Sequence, residues 1–366
     1  MEVKELVLSR RELQVVANAI YRGDTRYVHV SYPFYDVELF TLDIEKPELS
    51  KIVRPDAFDW TRTNKKPINR SFSADELPSF SDLRNCLLSS EFLNYKNEAE
   101  ITRKLLDLRE EARDPNKRPR PVFVAVDTNI LYDRFLSRHL PLRDDSTGRS
   151  VEATDFRYVL TEIVQMEIDS KITHKYSREE LQGLASVLSH PELLKEFANA
   201  SGRRERVAKL AFNEMTFVLT ELKALRIKGT PARDKEMNDI EIARSYKQWA
   251  RGGDFDVFLL TADEDMVNHA RTGELMTLQL ELPFAVPEHA RIDPWKITDL
   301  IYDLAITFGL ISLDNEQMLV LGEWAGKSSS DYMRENVKVR FGNEEKFPAI
   351  LKQLEMCRKV LGQTVT

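Results

Sequence analysis

Between Val122 and Asp133 the chain reads VFVAVDTNILYD: five apolar, mostly β-branched positions, then Asp127, Thr128 and Asn129, then apolar residues again from Ile130. An unbroken apolar run of this length predicts a strand buried on both faces, and its resumption after a polar step predicts a helix. The figure returns at Asp256–Asp265, DVFLLTADED, where an apolar strand runs into Thr261 and Asp263 ahead of a helix that stops at Gly273. At Tyr158–Ile168 the pattern predicts a strand over Tyr158 to Leu160 and a cap at Thr161. The next helix carries Ile163, Val164, Ile168 and Ile172 on its apolar face, with Glu167 at the edge of that face. Leu275 to Leu280 predicts one more short strand. Strands alternating with helices in this way define an α/β class with a parallel central sheet.

On either side the periodicity changes. A helix is expected from about Arg10 to Tyr21, strands over Tyr27 to Val30 and Tyr35 to Leu42, a long polar connection over 43–80, and helices near 81–94 and 97–112. The segment DPNKRPRP, with three prolines and three basic residues, marks the clearest boundary in the chain. From Ser177 to about Arg226 the pattern is helical, broken near His190-Pro191 and Ser201-Gly202, and Lys228-Gly229-Thr230-Pro231 ends it with turn chemistry. A helix then starts near Met237, with Asn238 as its expected cap and Asp239 in its first turn. Asp293 to Phe308 predicts an amphipathic helix packed against the α/β domain, and Leu319 to Phe341 a hairpin. The expected division is an α+β N-terminal domain over 1–115, an α/β domain over 121–285 with a helical insertion at about 177–228, and a helix-and-hairpin extension over 290–366.

Composition narrows the class. A chain of 366 residues with 42% hydrophobic and 31% charged positions has material for two or three domains and a sizeable core. No apolar run approaches the roughly 18 residues of a membrane span, and the N-terminus has no signal-peptide core, so a cytoplasmic protein without a membrane partner is expected. Cys86 and Cys357 stand far apart, and the six histidines are scattered, which supports neither a disulfide framework nor a zinc site. The net charge of −7 excludes a uniformly basic coat, yet Lys and Arg cluster at 62–70, 113–120, 203–209 and 223–235. Such clusters are ordinarily solvated faces. Acids gathered in a cleft with basic stretches around it are also the charge layout of a metal-dependent nuclease.

An acid where a strand meets a helix is ordinarily a helix cap. The C-terminal edge of a parallel sheet is also where ligands sit, so Asp127 admits both readings. Asp127 and Asp263 end strands, while Glu167 and Asp239 lie near helix starts, and independent capping would have to be invoked four times. Taken in order, VAVDTNIL, YVLTEIVQMEID, MNDIEIARSY and VFLLTADEDM resemble the successive motifs of the PIN-domain nucleases over roughly residues 121–282. That resemblance implies a PIN-like three-layer α/β/α domain whose acids bind Mg²⁺ or Mn²⁺ and hydrolyse phosphodiester bonds, mostly in RNA. Matched position by position, it assigns Asp127, Glu167, Asp239 and Asp263 as catalytic and metal-binding, with Thr128 and Asn129 completing the DTN signature. Asp265 falls on a less regular metal position.

Four such carboxylates in one place repel one another and are stable mainly around a hard divalent cation. One or two such ions, in an acidic two-metal-type site, lower the pKa of a bound water and neutralise the leaving oxygen, so no histidine base is needed; Glu167 is expected to bind metal or orient the attacking water. The interval between Glu167 and Asp239 is long for the family, and the flanking 120 and 80 or so residues argue against a stand-alone toxin and for a processing or quality-control endoribonuclease. Two rivals are a catalytically silent RNA-binding or assembly factor on the same scaffold and a structure-specific DNA nuclease. Arg203, Arg204, Lys327 and Arg340 are candidate nucleic-acid contacts, as are Phe58, Trp60 and Phe72 by stacking, although core packing is the better account of those rings. Gly322 to Ser328 imitates a phosphate-binding loop but is one residue short between its glycines, which rules out a nucleoside triphosphatase. The oligomeric state is open, a homodimer included.

Overall fold

The computed structural model describes residues 4–21, 26–58, 76–172, 175–186, 188–232, 234–291, 293–314, 318–342 and 347–360. Trp60, Phe72 and the basic cluster at 62–70 lie outside these residues. Contacts divide the chain into two compact units: Met1–Leu93, His174–Val207 and Ala285–Thr366 form one, and Asn94–Thr173 with Ala208–Phe284 the other.

Up to Leu93 the chain forms β1 (Lys4–Ser9), α1 (Leu13–Tyr21), β2 (Tyr27–Tyr32), β3 (Val37–Asp43), β4 (Glu48–Ser50) and α2 (Phe80–Ser89). It continues with α3 (Glu98–Arg113), β5 (Val122–Val126), α4 (Thr128–Asp133), α5 (Phe135–Arg138), the two-stranded ribbon β6 (Leu142–Arg143) and β7 (Ser150–Val151), β8 (Tyr158–Thr161) and α6 (Glu162–Asp169). Next come α7 (Arg178–Ala185) and α8 (Arg203–Thr220), then β9 (Leu225–Ile227), α9 (Lys235–Gly253), β10 (Asp256–Thr261), α10 (Glu264–Thr272) and β11 (Met276–Gln279). The last stretch holds β12 (Ala290–Arg291), α11 (Ile297–Phe308), β13 (Leu310–Leu313), β14 (Met318–Leu321), α12 (Ser329–Met333), β15 (Asn336–Phe341) and α13 (Phe347–Val360).

The first unit departs from the expected division. Its eight strands form one antiparallel sheet in the order β1-β15-β14-β13-β2-β3-β4-β12, so the two ends of the chain share a domain. The expected hairpin is present as β14 and β15, but β13 extends it to three strands with two open edges. Those edges are closed by β2, on β13, and β1, on β15. The helix expected to pack on the α/β domain, α11, instead lies in the core of this unit, buried all round from Thr298 to Phe308. Its polar positions permit that because they are partnered: Asp299 with Arg10, and Asp303 with the Ser89 hydroxyl at 2.7 Å. Gly322, at the end of β14, faces the same helix so closely that a Cβ would fall 2.0 Å from the Ala305 carbonyl oxygen. Phe58 is a core residue here, edge-on to Phe80 and Phe308 at centroid distances of 6.0 and 6.3 Å.

The expected helical insertion at 177–228 is divided between the units. Glu196 accepts from Lys338 at 3.2 Å and Arg340 at 2.6 Å on β15, within the first unit, whereas α8 from Ala208 onward and β9 belong to the second.

The second unit is built on a parallel five-stranded sheet in the order β11-β10-β5-β8-β9, flanked by helices, as a three-layer α/β/α arrangement requires. β5 is buried at every position, which is why its sequence has no alternation. From β5 the chain steps outward to β8 and β9, then returns past β5 to lay down β10 and β11 on the other side. The reversal point of the sheet therefore lies between β5 and β10, where the turns after adjacent strands diverge and leave a crevice.

Candidate functional site

Strand register brings three polar residues to one level. Val126 pairs with Leu260, and Ala125 with Val159, so the next step of each strand or its turn sets Asp127 between Thr261 and Thr161. The turn after β5 is then tied to the turn after β10. Thr261 Oγ1 donates to Asp127 Oδ2 at 2.6 Å and accepts from the Asp263 backbone N–H at 3.0 Å. Asn129 donates through Nδ2 to the same Asp127 oxygen at 2.7 Å, and its Oδ1 accepts from the Ala262 N–H at 2.9 Å. Asp127 Oδ1 accepts from the Thr128 N–H at 2.7 Å, which caps α4. Beneath this level the buried Tyr246 hydroxyl donates to the Val126 carbonyl at 2.8 Å and accepts from the Thr161 N–H at 3.2 Å, holding β5 and β8 together.

The other acids arrive on helices. Thr161 caps α6, and Glu167 sits nearly two turns further along that helix, where Oε2 accepts from Thr128 Oγ1 and Oε1 from Asn238 Nδ2 at 2.6 Å. Asp263 caps α10 by accepting from the Asp265 N–H at 2.9 Å. Asp239 lies on α9. Gly229 lets the loop before α9 pass over the start of α6, since a Cβ there would stand 2.5 Å from Thr161 Oγ1.

Asp127, Glu167, Asp239 and Asp263 line one open cleft of about 380 Å³, together with Thr128 and Asn129. Four acids separated by up to 136 positions in sequence thus share one depression at the C-terminal edge of the sheet. Asp127 is the buried member, 3% exposed, and its carboxyl is pushed up to about 7. Burial is the main cause, opposed by the hydrogen bonds from Thr261 and Thr128 and reinforced by the charges of Asp239 and Glu167. Among the described residues, no group of three or more His, Cys, Asp or Glu side chains is placed to hold a metal ion.

Three expectations need correction. Asn238 does not cap α9; that helix starts at Lys235, so Asn238 lies inside it, and Asp239, one residue later, lies beyond the first turn. Its amide instead bridges the Ala232 N–H, at 2.9 Å, and Glu167. Asp265 is exposed on α10 and outside the cleft lining; its backbone N–H, not its carboxylate, joins the site. The expected nucleic-acid contacts belong to the other unit, where each makes intramolecular interactions. Arg203 binds Asp82 at 2.7 Å, Arg340 binds Glu5 and Glu196, and Lys327 donates to the carbonyls of Gly322 and Asn336; Arg204 is exposed.

Comparison with protein-family models, with curated proteins and with solved structures finds no match for this chain. The chemistry of the cleft therefore has to be argued from its own residues. Sequence reasoning missed Thr261 as the central hydrogen-bonding hydroxyl, Asn238 as the partner of Glu167, and Tyr132 and Lys171 on the rim, where the Lys171 ammonium lies 5.1 Å from the Tyr132 ring centroid. Thr261 was the one with a signal, since the strand–Thr–x–Asp spacing puts a hydroxyl level with Asp127. The other three are brought in through space. No helix among the described residues is long and apolar enough to cross a membrane.

Proposed function

We propose that this protein is a metal-dependent endoribonuclease of the PIN-domain type, acting in RNA processing or quality control. The observation that carries the reading is the meeting of Asp127, Glu167, Asp239 and Asp263 in one cleft at the reversal point of a parallel sheet. A set of carboxylates with no nitrogen or sulfur donor is what Mg²⁺ or Mn²⁺ takes, and Asp127, buried beside like charges, gains most from a cation. When bound, such an ion supplies an activated water and neutralises charge building on a leaving oxygen.

The chain's own residues divide the remaining work. Asp127, Asp239 and Asp263 would hold the ion. Glu167, fixed by Thr128 and Asn238, would hold it as well or orient the attacking water. Thr261 and Asn129 keep the Asp127 carboxylate from rotating. Lys171, exposed on the rim, can meet a phosphate that the acids would otherwise repel.

The test is incubation of the full chain with Mn²⁺ and end-labelled RNA, beside labelled single-stranded DNA and the Asp127→Asn variant. Internal cleavage of RNA by the wild type and none by the variant is the expected result. Equal cleavage by both removes the acids from the mechanism. Binding without cleavage assigns the catalytically silent scaffold, and preference for DNA assigns the DNA nuclease.

A further inference from the structure

The N-terminal ends of the same strands carry a second concave site. The end of α3, the proline-rich run into β5 and the turn before β8 enclose a cavity of about 320 Å³. Its walls hold Arg109, Arg113, Arg118, Arg120 and Arg157 against a single acid, Asp155. Alternating Arg118-Pro119-Arg120-Pro121 keeps two of these arginines on a stretch whose φ angles are fixed by the proline rings, so little ordering remains to be lost on binding.

Most of the guanidinium groups are positioned by acids without being used up by them. Arg109 and Arg113 contact Asp155 at 3.2 and 2.8 Å, Arg118 contacts Glu111 at 2.7 Å and Asp256 at 2.9 Å, and Arg120 contacts Asp254 at 2.9 Å. A guanidinium has five N–H donors, and one carboxylate oxygen takes one or two. Two of these arginines keep donors that no carboxylate takes. Arg109 Nε is buried and has no hydrogen-bond partner. Arg157 is exposed and, among the described residues, makes no ion pair.

We propose that this arginine-walled cavity is a second anion subsite that takes a backbone phosphate of the nucleic-acid strand, away from the carboxylates. The proposal rests on the reading that the substrate is RNA. β5 has five residues, so at about 3.3 Å per residue the two sites are separated by roughly 16 Å of strand. One phosphate group cannot occupy both, so the subsite would take a phosphate several nucleotides from the one at the acids, on a strand led around the surface of the domain. The arginine fork, bidentate and always charged, suits phosphate, and the acids at this end, Asp155, Glu111, Asp254 and Asp256, are each already paired with an arginine.

The experiment is fluorescence anisotropy of a labelled single-stranded RNA with the full chain in EDTA, over a series of salt concentrations. It compares the wild type with Arg113→Ala/Arg157→Ala, and with Arg113→Lys/Arg157→Lys, which keeps charge but not the fork. Loss of two phosphate contacts should lower the slope of log affinity against log salt by about 1.4 in the alanine pair. The lysine pair should keep the slope and bind more weakly. Equal slope and affinity in wild type and alanine pair overturn the subsite. If the wild type binds no RNA in EDTA, the ribonuclease reading is judged by the cleavage assay alone, and inorganic tripolyphosphate tests the cavity. A rise in unfolding temperature in the wild type and none in the alanine pair supports it; equal or absent rises overturn it.

Discussion

Replacing Asp127 by asparagine should make the second unit less stable than the wild type in acid and more stable in base. In the unfolded chain this carboxyl ionises near its ordinary value of 3.8, whereas in the folded protein it keeps its proton until about 7. Between those limits the folded state holds one proton more than the unfolded state, so this group's contribution falls as pH rises and is flat above about 7. At about 1.4 kcal/mol per pH unit the loss amounts to roughly 4 kcal/mol. Asparagine removes that dependence at a fixed cost. Its single oxygen can still accept from the Thr128 N–H, but its amide then faces the Nδ2 donor of Asn129. Asn129 cannot turn over, because its Oδ1 already accepts from Ala262. A frustrated buried donor costs about 1–3 kcal/mol at any pH.

The two terms give a crossing. Below about pH 4 the variant should be weaker by the fixed cost, and at pH 8 stronger by the remainder, with the difference changing sign in between. Deuterium labelling along a urea gradient, read by mass spectrometry on peptides from β5 and β10, reports the unfolding free energy of this unit; EDTA is present throughout. The difference between the chains is the quantity to plot, because Glu214 is also buried and pushed up to about 7 and adds its own fall to both. A difference that stays constant from pH 4 to 8 would refute the account of Asp127 as a carboxyl held neutral by burial and by Asp239 and Glu167.

Two further substitutions test the frame around the cleft and the core of the first unit. Asn238→Ala releases Glu167 Oε1 and the Ala232 N–H, and is expected to cost roughly 10–100-fold in Mn²⁺-dependent cleavage or metal affinity, since both depend on the orientation of the carboxylate; unchanged values in the two assays would contradict that role. Gly322→Ala drives a methyl group into the Ala305 carbonyl, which is backbone and cannot swing aside, and should destabilise the first unit by about 1–3 kcal/mol in urea unfolding. An unshifted midpoint would mean that β14 can retreat from α11 freely.

The parts of this molecule that could be read from the sequence are those whose cause is local. β5 and β8 announce themselves because a strand buried on both faces leaves no alternation, β10 by its apolar run although Asp256 and Phe258 are only half-buried, and the polar step ending each one is visible in the same ten residues. Asp127, Glu167 and Asp263 could be placed on the same terms. Asn238 could not, because Asn next to Asp near a helix start looks like a cap until the helix is seen to begin at Lys235. The first unit was hidden for a different reason. Lys4 pairs with Phe341, and no window of sequence contains both strands. Nor does an amphipathic pattern tell whether the polar side of a helix faces water or, as in α11, an arginine and a serine that bury it.

Capping and ligation looked like competing explanations of the acids, and the geometry makes them compatible. Asp127 and Asp263 both cap helices, each accepting a backbone N–H from the first turn of the next helix. A cap by itself favours the ionised form, through that N–H and the positive end of the helix. Asp127 has these advantages and two further donors, yet its carboxyl is raised, so burial and the neighbouring acids outweigh them. Capping alone asks for neither condition: serine or threonine would cap α4 without a charge to bury, as Thr161 does for α6. What distinguishes Asp127 is therefore not the cap but the presence of a carboxylate where the fold penalises one, and under the proposed function a cation, if bound, would turn this penalty into affinity.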